Sequence, residues 1–188
     1  MKRRYQLKER ARRQAETRQR IVEAAVDLHT SVGPARTTVS GIAKRAGVQR
    51  HTVYAHFRDD RELFAACSAH WNAANPFPDL ARWDSIADRE RQLRTALDAL
   101  YDWYERVESD VALFRRDAEA VSPDVRRRDQ ERLQQVLDSL TRSWPRRKPV
   151  RATLAHALEF ETWRSLVRRQ GLTRKQAVDA MLRLVSTV

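Results

Sequence analysis

Gln49, Arg50, His51 and Thr52 stand in an unbroken row of hydrogen-bonding side chains, and Tyr54 and His56 follow within four residues of Thr52. An amide, a guanidinium, an imidazole and a hydroxyl clustered in the first turn of a short helix suit the edges of bases in a DNA major groove. Arg paired with guanine O6 and N7 is the commonest specific contact, so Arg50 is favoured as a base or phosphate contact over a solvated surface residue. Gln49, His51 and Thr52 divide evenly between base edges, phosphates and capping. Tyr54 and His56 suit phosphate oxygens, although an aromatic ring at a helix end also packs against its neighbours. Thr38 serves twice, its hydroxyl capping a helix whose free N–H groups face a phosphate.

Such a row needs a scaffold. Upstream, Ile21, Ala24, Ala25 and Leu28 recur at helical spacing, and Gly33-Pro34 ends the pattern, which predicts a helix over about 16–31. Thr37 or Thr38 caps a second helix through Ile42 and Ala43 to Arg45, Gly47 supplies the turn, and a third helix spans about Gln49 to His56. Ala43 permits close approach of the two helices, with Ile42, Val48 and Val53 facing inward: a helix-turn-helix. Asp59-Asp60-Arg61-Glu62 has the spacing of a capping box and opens a helix through Leu63, Phe64, Cys67 and Trp71, which Asn75-Pro76-Phe77-Pro78 stops.

Beyond that break, the apolar spacing predicts helices over Ser85–Val107, Val111–Ala120, Pro123–Trp144, Val150–Gln170 and Thr173–Val188, with Gly171 between the last two. With four Gly and six Pro in 188 residues and no alternating strand pattern, the fold class is all-α, about nine helices. The expected division is a basic arm over 1–15, a helix-turn-helix domain over 16–63 and a helical bundle over 64–188.

Charge narrows the partners. The chain carries a formal net charge of +12, and residues 1–60 hold 14 Lys/Arg against 6 Asp/Glu, so a polyanion is expected at the amino-terminal end. Nucleic acid is the first expectation and an anionic membrane surface the second. Lys2, Arg3, Arg4, Lys8, Arg10, Arg12 and Arg13 crowd the arm, which holds too few apolar residues to bury a face and reads as helical only near its end. Arg3, Arg4 and Arg12 either enter a minor groove or form a solvated tail that raises general affinity. A single cysteine, Cys67, excludes an internal disulfide, and no apolar run spans a bilayer, so a soluble, cytoplasmic protein is expected.

The residues Thr37-Thr38-Val39, Ile42-Ala43, Ala46-Gly47-Val48, Thr52-Val53-Tyr54-Ala55-His56-Phe57 and Glu62-Leu63 together resemble the tetracycline-repressor (TetR) family of bacterial regulators. The resemblance covers about a quarter of the chain. It implies an all-helical homodimer paired through its last two helices, operator DNA as partner and, often, a small-molecule effector in the carboxy-terminal domain. Tyr54 and His56 match positions where the family touches phosphate. Many members place a Lys at the start of helix 4, where this chain has Asp60, which leaves Arg61 as substitute; many also carry an aromatic residue where Ala55 stands.

Trp103, Tyr104, Phe114, His156, Phe160 and Trp163 form the candidate effector pocket, although aromatic stripes at helical spacing are more often core. His156 and Glu159 are too few ligands for a metal site. Neither a Gly-rich phosphate loop, nor G-x-S-x-G, nor H-E-x-x-H occurs, and Cys67 on an apolar face reads as structural, so no enzyme and no cofactor are expected. The expectation is a sequence-specific regulator, a repressor released by a small molecule. The alternatives are a basic helical protein coating nucleic acid without sequence preference and, third, an enzyme using the carboxy-terminal pocket.

Overall fold

The computed structural model describes residues 2–188, with the side chains described from residue 5. Ten α-helices and no strand occur among the described residues: α1 (Lys2–Ser31), α2 (Val39–Ala46), α3 (Arg50–His56), α4 (Asp60–Ala74), α5 (Ala81–Asp84), α6 (Arg89–Arg116), α7 (Pro123–Thr141), α8 (Lys148–Leu158), α9 (Phe160–Arg164) and α10 (Arg174–Ser186). Short 3-10 turns at Pro34–Arg36 and Ala118–Ala120 and a π-type turn at Ser165–Arg169 complete the order. No described helix is long and apolar enough to cross a membrane.

α1 begins at Lys2, not near Glu16 as expected. Residues 2–16 hold no Gly or Pro and are rich in Arg, Lys, Gln, Glu and Ala, all good helix formers. Glu9 accepts from Arg12 at 2.6 Å and Arg13 at 3.2 Å, and Arg12 also reaches Glu16 at 2.6 Å. Pairs at these spacings add a few tenths of a kcal/mol each, which favours helix over coil without any buried face. The expectations for Arg3 and Arg4 concern side chains that lie outside the described residues.

Two compact units emerge. The first comprises residues up to Pro76 with Ser109–Arg126, and the second Phe77–Glu108 with Arg127–Val188. In the first, Ile21, Val22, Ala24 and Ala25 of α1 close on Ile42, Ala43 and Ala46 of α2, Val53 of α3, Phe57, and Leu63 and Cys67 of α4. His29 stacks on Phe64 at 4.8 Å, and burial holds its imidazole neutral, its pKa pulled down to about 4. The Cys67 thiol is likewise buried, its pKa pushed up to about 12, as a structural thiol requires.

α6 is one helix where two were expected, because Glu108, Ser109 and Asp110 break no helix and Trp71 donates to Asp110 at 2.7 Å from α4. Its start is set by Asp88, which accepts the Arg91 N–H at 2.7 Å. In the second unit Leu93, Leu97, Leu100, Tyr101 and Tyr104 form one buried stripe of α6, and Leu154 and Leu158 of α8, Phe160 and Trp163 of α9, and Val178 and Leu182 of α10 are buried as well; the Tyr104 ring meets those of Phe160 and Trp163.

The helix expected over Val150–Gln170 is broken. Glu159 is extended, with φ −74° and ψ 140°, between α8 and α9. At the break the buried Tyr101 hydroxyl donates to the carbonyl of Ala157 at 2.8 Å and Tyr104 to that of Leu158 at 2.7 Å. Two carbonyls that an unbroken helix would satisfy internally are thus satisfied by α6. α10 then opens on a capping box in which Thr173 and Gln176 bond each other's backbone N–H.

Candidate nucleic-acid interface

The Thr38 hydroxyl accepts the Gly41 N–H at 3.0 Å, which fixes the start of α2. Gly47 ends it in the left-handed region, at φ 68°, and this single residue turns the chain so that Val48 N–H reaches the Ala43 carbonyl at 3.0 Å. α3 follows after Gln49, whose extended backbone occupies the capping position while its side chain makes no capping bond. The amide therefore stays available on the surface.

Val53 is 1% exposed and locks α3 onto α1 and α2. By helical periodicity this turns the other side of α3 outward. Gln49, Arg50, His51, Tyr54 and Ala55 are exposed, and Thr52 and His56 half-buried. Of the predicted row Gln49, Arg50 and His51 are thus exposed, and Thr52 is half-buried. Arg50 and Tyr54, one turn apart, also engage each other: the guanidinium lies 5.7 Å from the ring centroid and 3.4 Å from the hydroxyl.

α4 starts as expected in part. Asp59 accepts the Glu62 N–H at 2.8 Å, and the Glu62 carboxylate reaches back to the Arg58 N–H at 3.1 Å, one residue beyond a standard capping box. Those bonds from Arg58 hold the Glu62 carboxyl below the usual carboxylate range. Arg61 sits on the exposed first turn of α4, but its guanidinium is bonded to Asp124 at 2.6 and 2.9 Å. In this conformation Arg61 serves α7 and not an anion outside the chain.

Three further charged groups escaped the reading of the sequence. Arg18 lays its guanidinium 4.5 Å above the Phe57 ring and comes within 3.8 Å of Glu62, joining α1 to the end of α3 and the first turn of α4. Arg45 of α2 is paired with Asp27 of α1. Arg116 and Asp117 grip the segment before the helix-turn-helix: Arg116 donates to the Val32 carbonyl at 2.9 Å, and Asp117 accepts the Ala35 N–H at 3.0 Å. The adjacent Arg116 guanidinium holds the Asp117 carboxyl down at about 2. Long-range pairs of this kind leave no periodicity in the sequence.

Of the six residues expected at an effector pocket, four lie together in the second unit. Trp103, Tyr104, Phe160 and Trp163 are buried together in the second unit, with ring centroids 5.3–5.7 Å apart for Tyr104 against the other three. Phe114 lies in the first unit, edge-on to Trp71 at 5.4 Å. His156 is exposed, near the Thr162 hydroxyl at 3.2 Å. Among the described residues no group of three or more His, Cys, Asp and Glu has the arrangement of a metal site.

Residues 21–67, which span α1 to α4, match the family model described as bacterial regulatory proteins, tetR family. The chain is 44% identical over 50 residues to the transcriptional regulator AcrR of Shigella flexneri, covering 27% of this chain and 23% of that protein. It is 47% identical over 51 residues to TtgR of Pseudomonas putida, covering 27% and 24%. These curated relatives are thus matched over about a quarter of their length. Solved structures align over nearly the whole chain. The fatty acid degradation regulator FadR from Bacillus halodurans has a TM-score of 0.63 at 15% identity, over 89% of this chain and 93% of that one. FadR from Bacillus subtilis, solved with stearoyl-CoA, has 0.59 at 16%, over 90% and 98%. At such identities the likeness is one of fold.

Proposed function

We propose that this chain, which carries the helix-turn-helix domain of the tetR family of bacterial regulatory proteins, is a sequence-specific transcriptional repressor whose α3 reads an operator. The observation that carries this reading is the α3 surface: Gln49, Arg50, His51 and Tyr54 exposed together on a helix locked from behind by Val53. A chain that merely coated nucleic acid needs cations, not a rigid row of mixed donors and acceptors. Thr38, Thr52 and His56 flank that row and, with Tyr54, serve phosphate in the proposal. Arg61 joins them only on leaving Asp124.

A homodimer through the carboxy-terminal helices α8 to α10, the two helices expected over 150–170 and 173–188, places two such surfaces on one duplex, about 34–36 Å apart for half-sites one turn apart. Leu184 of α10 and Val188 just after it are 42% and 40% exposed, the apolar surface that a second copy covers in this reading. A small-molecule effector relieves repression in this reading, which the fold's likeness to a regulator solved with stearoyl-CoA supports. The test is selection of bound fragments from the source genome, followed by competition of a selected duplex against random duplex at fixed salt. Preference of 10³-fold or more supports operator reading, and equal affinity contradicts it.

A further inference from the structure

We propose that the first four turns of α1 are a second DNA-contacting element, a cationic helical rod continuous with the helix-turn-helix domain that lies along the phosphates beside the site read by α3. This rests on the reading of the chain as a DNA-binding protein.

Among the described residues the rod packs against no other element. From Tyr5 to Glu16 every residue except Glu9 is exposed, with Tyr5 at 71% and Leu7 at 62%. Most helical stability in proteins comes from packing an apolar face, and this stretch packs none. Nor does it offer one to a membrane: at 100° per residue Tyr5 and Leu7 fall on nearly opposite sides. What it offers is charge, with seven Lys/Arg against two acids in residues 2–16.

Position and register select DNA as the occupant. α1 enters the core at Arg18, which touches both Phe57 at the end of α3 and Glu62 in the first turn of α4. The rod therefore springs from the corner where the reading helix ends, and 15 or 16 residues at about 1.5 Å each carry it roughly 24 Å further. Leu7, Ala11, Gln14, Arg18, Ile21 and Ala25 share one stripe of α1, the stripe that packs on the helix-turn-helix farther along. Glu9 and Glu16 lie on the opposite side, where they engage Arg12 and Arg13. Lys8 and Arg10 flank the acid-free stripe on its two sides, and no carboxylate among the described residues engages either. The two acids thus neutralise the far side and leave Lys8 and Arg10 as the described charges beside the stripe that continues onto the helix-turn-helix.

The test uses the full chain and two paired variants, Lys8→Gln with Arg10→Gln and, as contrast, Arg12→Gln with Arg13→Gln. Binding is followed by fluorescence anisotropy from 50 to 300 mM salt on a selected 40-bp duplex and on a random one. Each phosphate contact contributes about 0.9 to the slope of log affinity against log salt. The Lys8/Arg10 variant is expected to lose about 1.8 of slope and, near 0.15 M salt, roughly 30-fold in affinity on both duplexes alike. The Arg12/Arg13 variant is expected to lose less than half of that. Ala11→Pro, which breaks the rod while leaving its charges, is expected to weaken binding on both duplexes with the thermal unfolding of the remaining domain unchanged. Unchanged slope and affinity in the Lys8/Arg10 variant overturn the proposal, as does tighter binding of the wild type to vesicles of 30% anionic lipid than to duplex. Absence of any duplex binding by the wild type overturns the DNA-binding reading itself.

Discussion

The Asp117 carboxylate accepts the backbone N–H of Ala35 at 3.0 Å, eighty-two residues away in sequence. Its neighbour Arg116 donates to the Val32 carbonyl at 2.9 Å, so the last residue of α6 and the one after it close over the turn from which the helix-turn-helix starts. Gly33 lies beneath them at φ 94°.

Gly33 is the residue that permits this closure. A Cβ there would meet Arg116 Nη2 and Asp117 Oδ2 at 2.3 Å, in a backbone conformation that side chains rarely adopt. Gly33→Ala is expected to cost about 2 kcal/mol, read as a lowered Tm in thermal unfolding. Gly47→Ala meets no neighbour within 4 Å and is expected to cost less, since only the left-handed φ opposes it. Equal losses at the two positions would mean that the Arg116–Asp117 closure does not constrain Gly33.

His29 gives the first unit a pH dependence of definite sign. Its pKa falls from about 6.5 in the unfolded chain to about 4 when buried on Phe64. The unfolded state therefore binds the proton first as pH falls through 6.5, and stability is present above that value and lost progressively down to about 4. The full loss is up to about 3 kcal/mol, at about 1.4 kcal/mol per pH unit. His29→Phe keeps the stacked ring and removes the proton, so urea unfolding of the variant is expected to be flatter between pH 6.5 and 4. A profile parallel to the wild type's would show that His29 is not the group responsible.

The break between α8 and α9 depends on two hydroxyls. Tyr104→Phe leaves the ring in place among Phe160 and Trp163 but strands the Leu158 carbonyl, a buried acceptor, at a cost of about 1–3 kcal/mol. Urea denaturation measures it. A neutral result would mean that water or a rebuilt helical bond replaces the hydroxyl.

Much of this was written in local chemistry. Thr38, Gly47, Asp59, Pro123 and Thr173 each mark a helix boundary where the sequence places one, because caps and turns act over three or four residues. The surface of α3 was legible for the same reason, Val53 alone fixing which residues turn outward. Three features were not. Residues 2–16 lack an apolar stripe, so periodicity missed a helix held by propensity and ion pairs. The break at Glu159 is set by tyrosines more than fifty residues upstream. Arg61 looked like a free phosphate contact until α7 brought Asp124 to it. Each of these is decided by contacts distant in sequence or by charge without pattern.

Arg50 carries the central claim. It is exposed at the start of α3 and engaged by Tyr54, and in the proposed reading it pairs with one base. The decisive measurement is the affinity of Arg50→Ala for a selected operator duplex and for random duplex of equal length, at one salt concentration. A loss of about 1–3 kcal/mol on the operator, with relaxed preference at one base position and a much smaller loss on random DNA, is predicted. Equal losses on both duplexes would contradict base reading by α3.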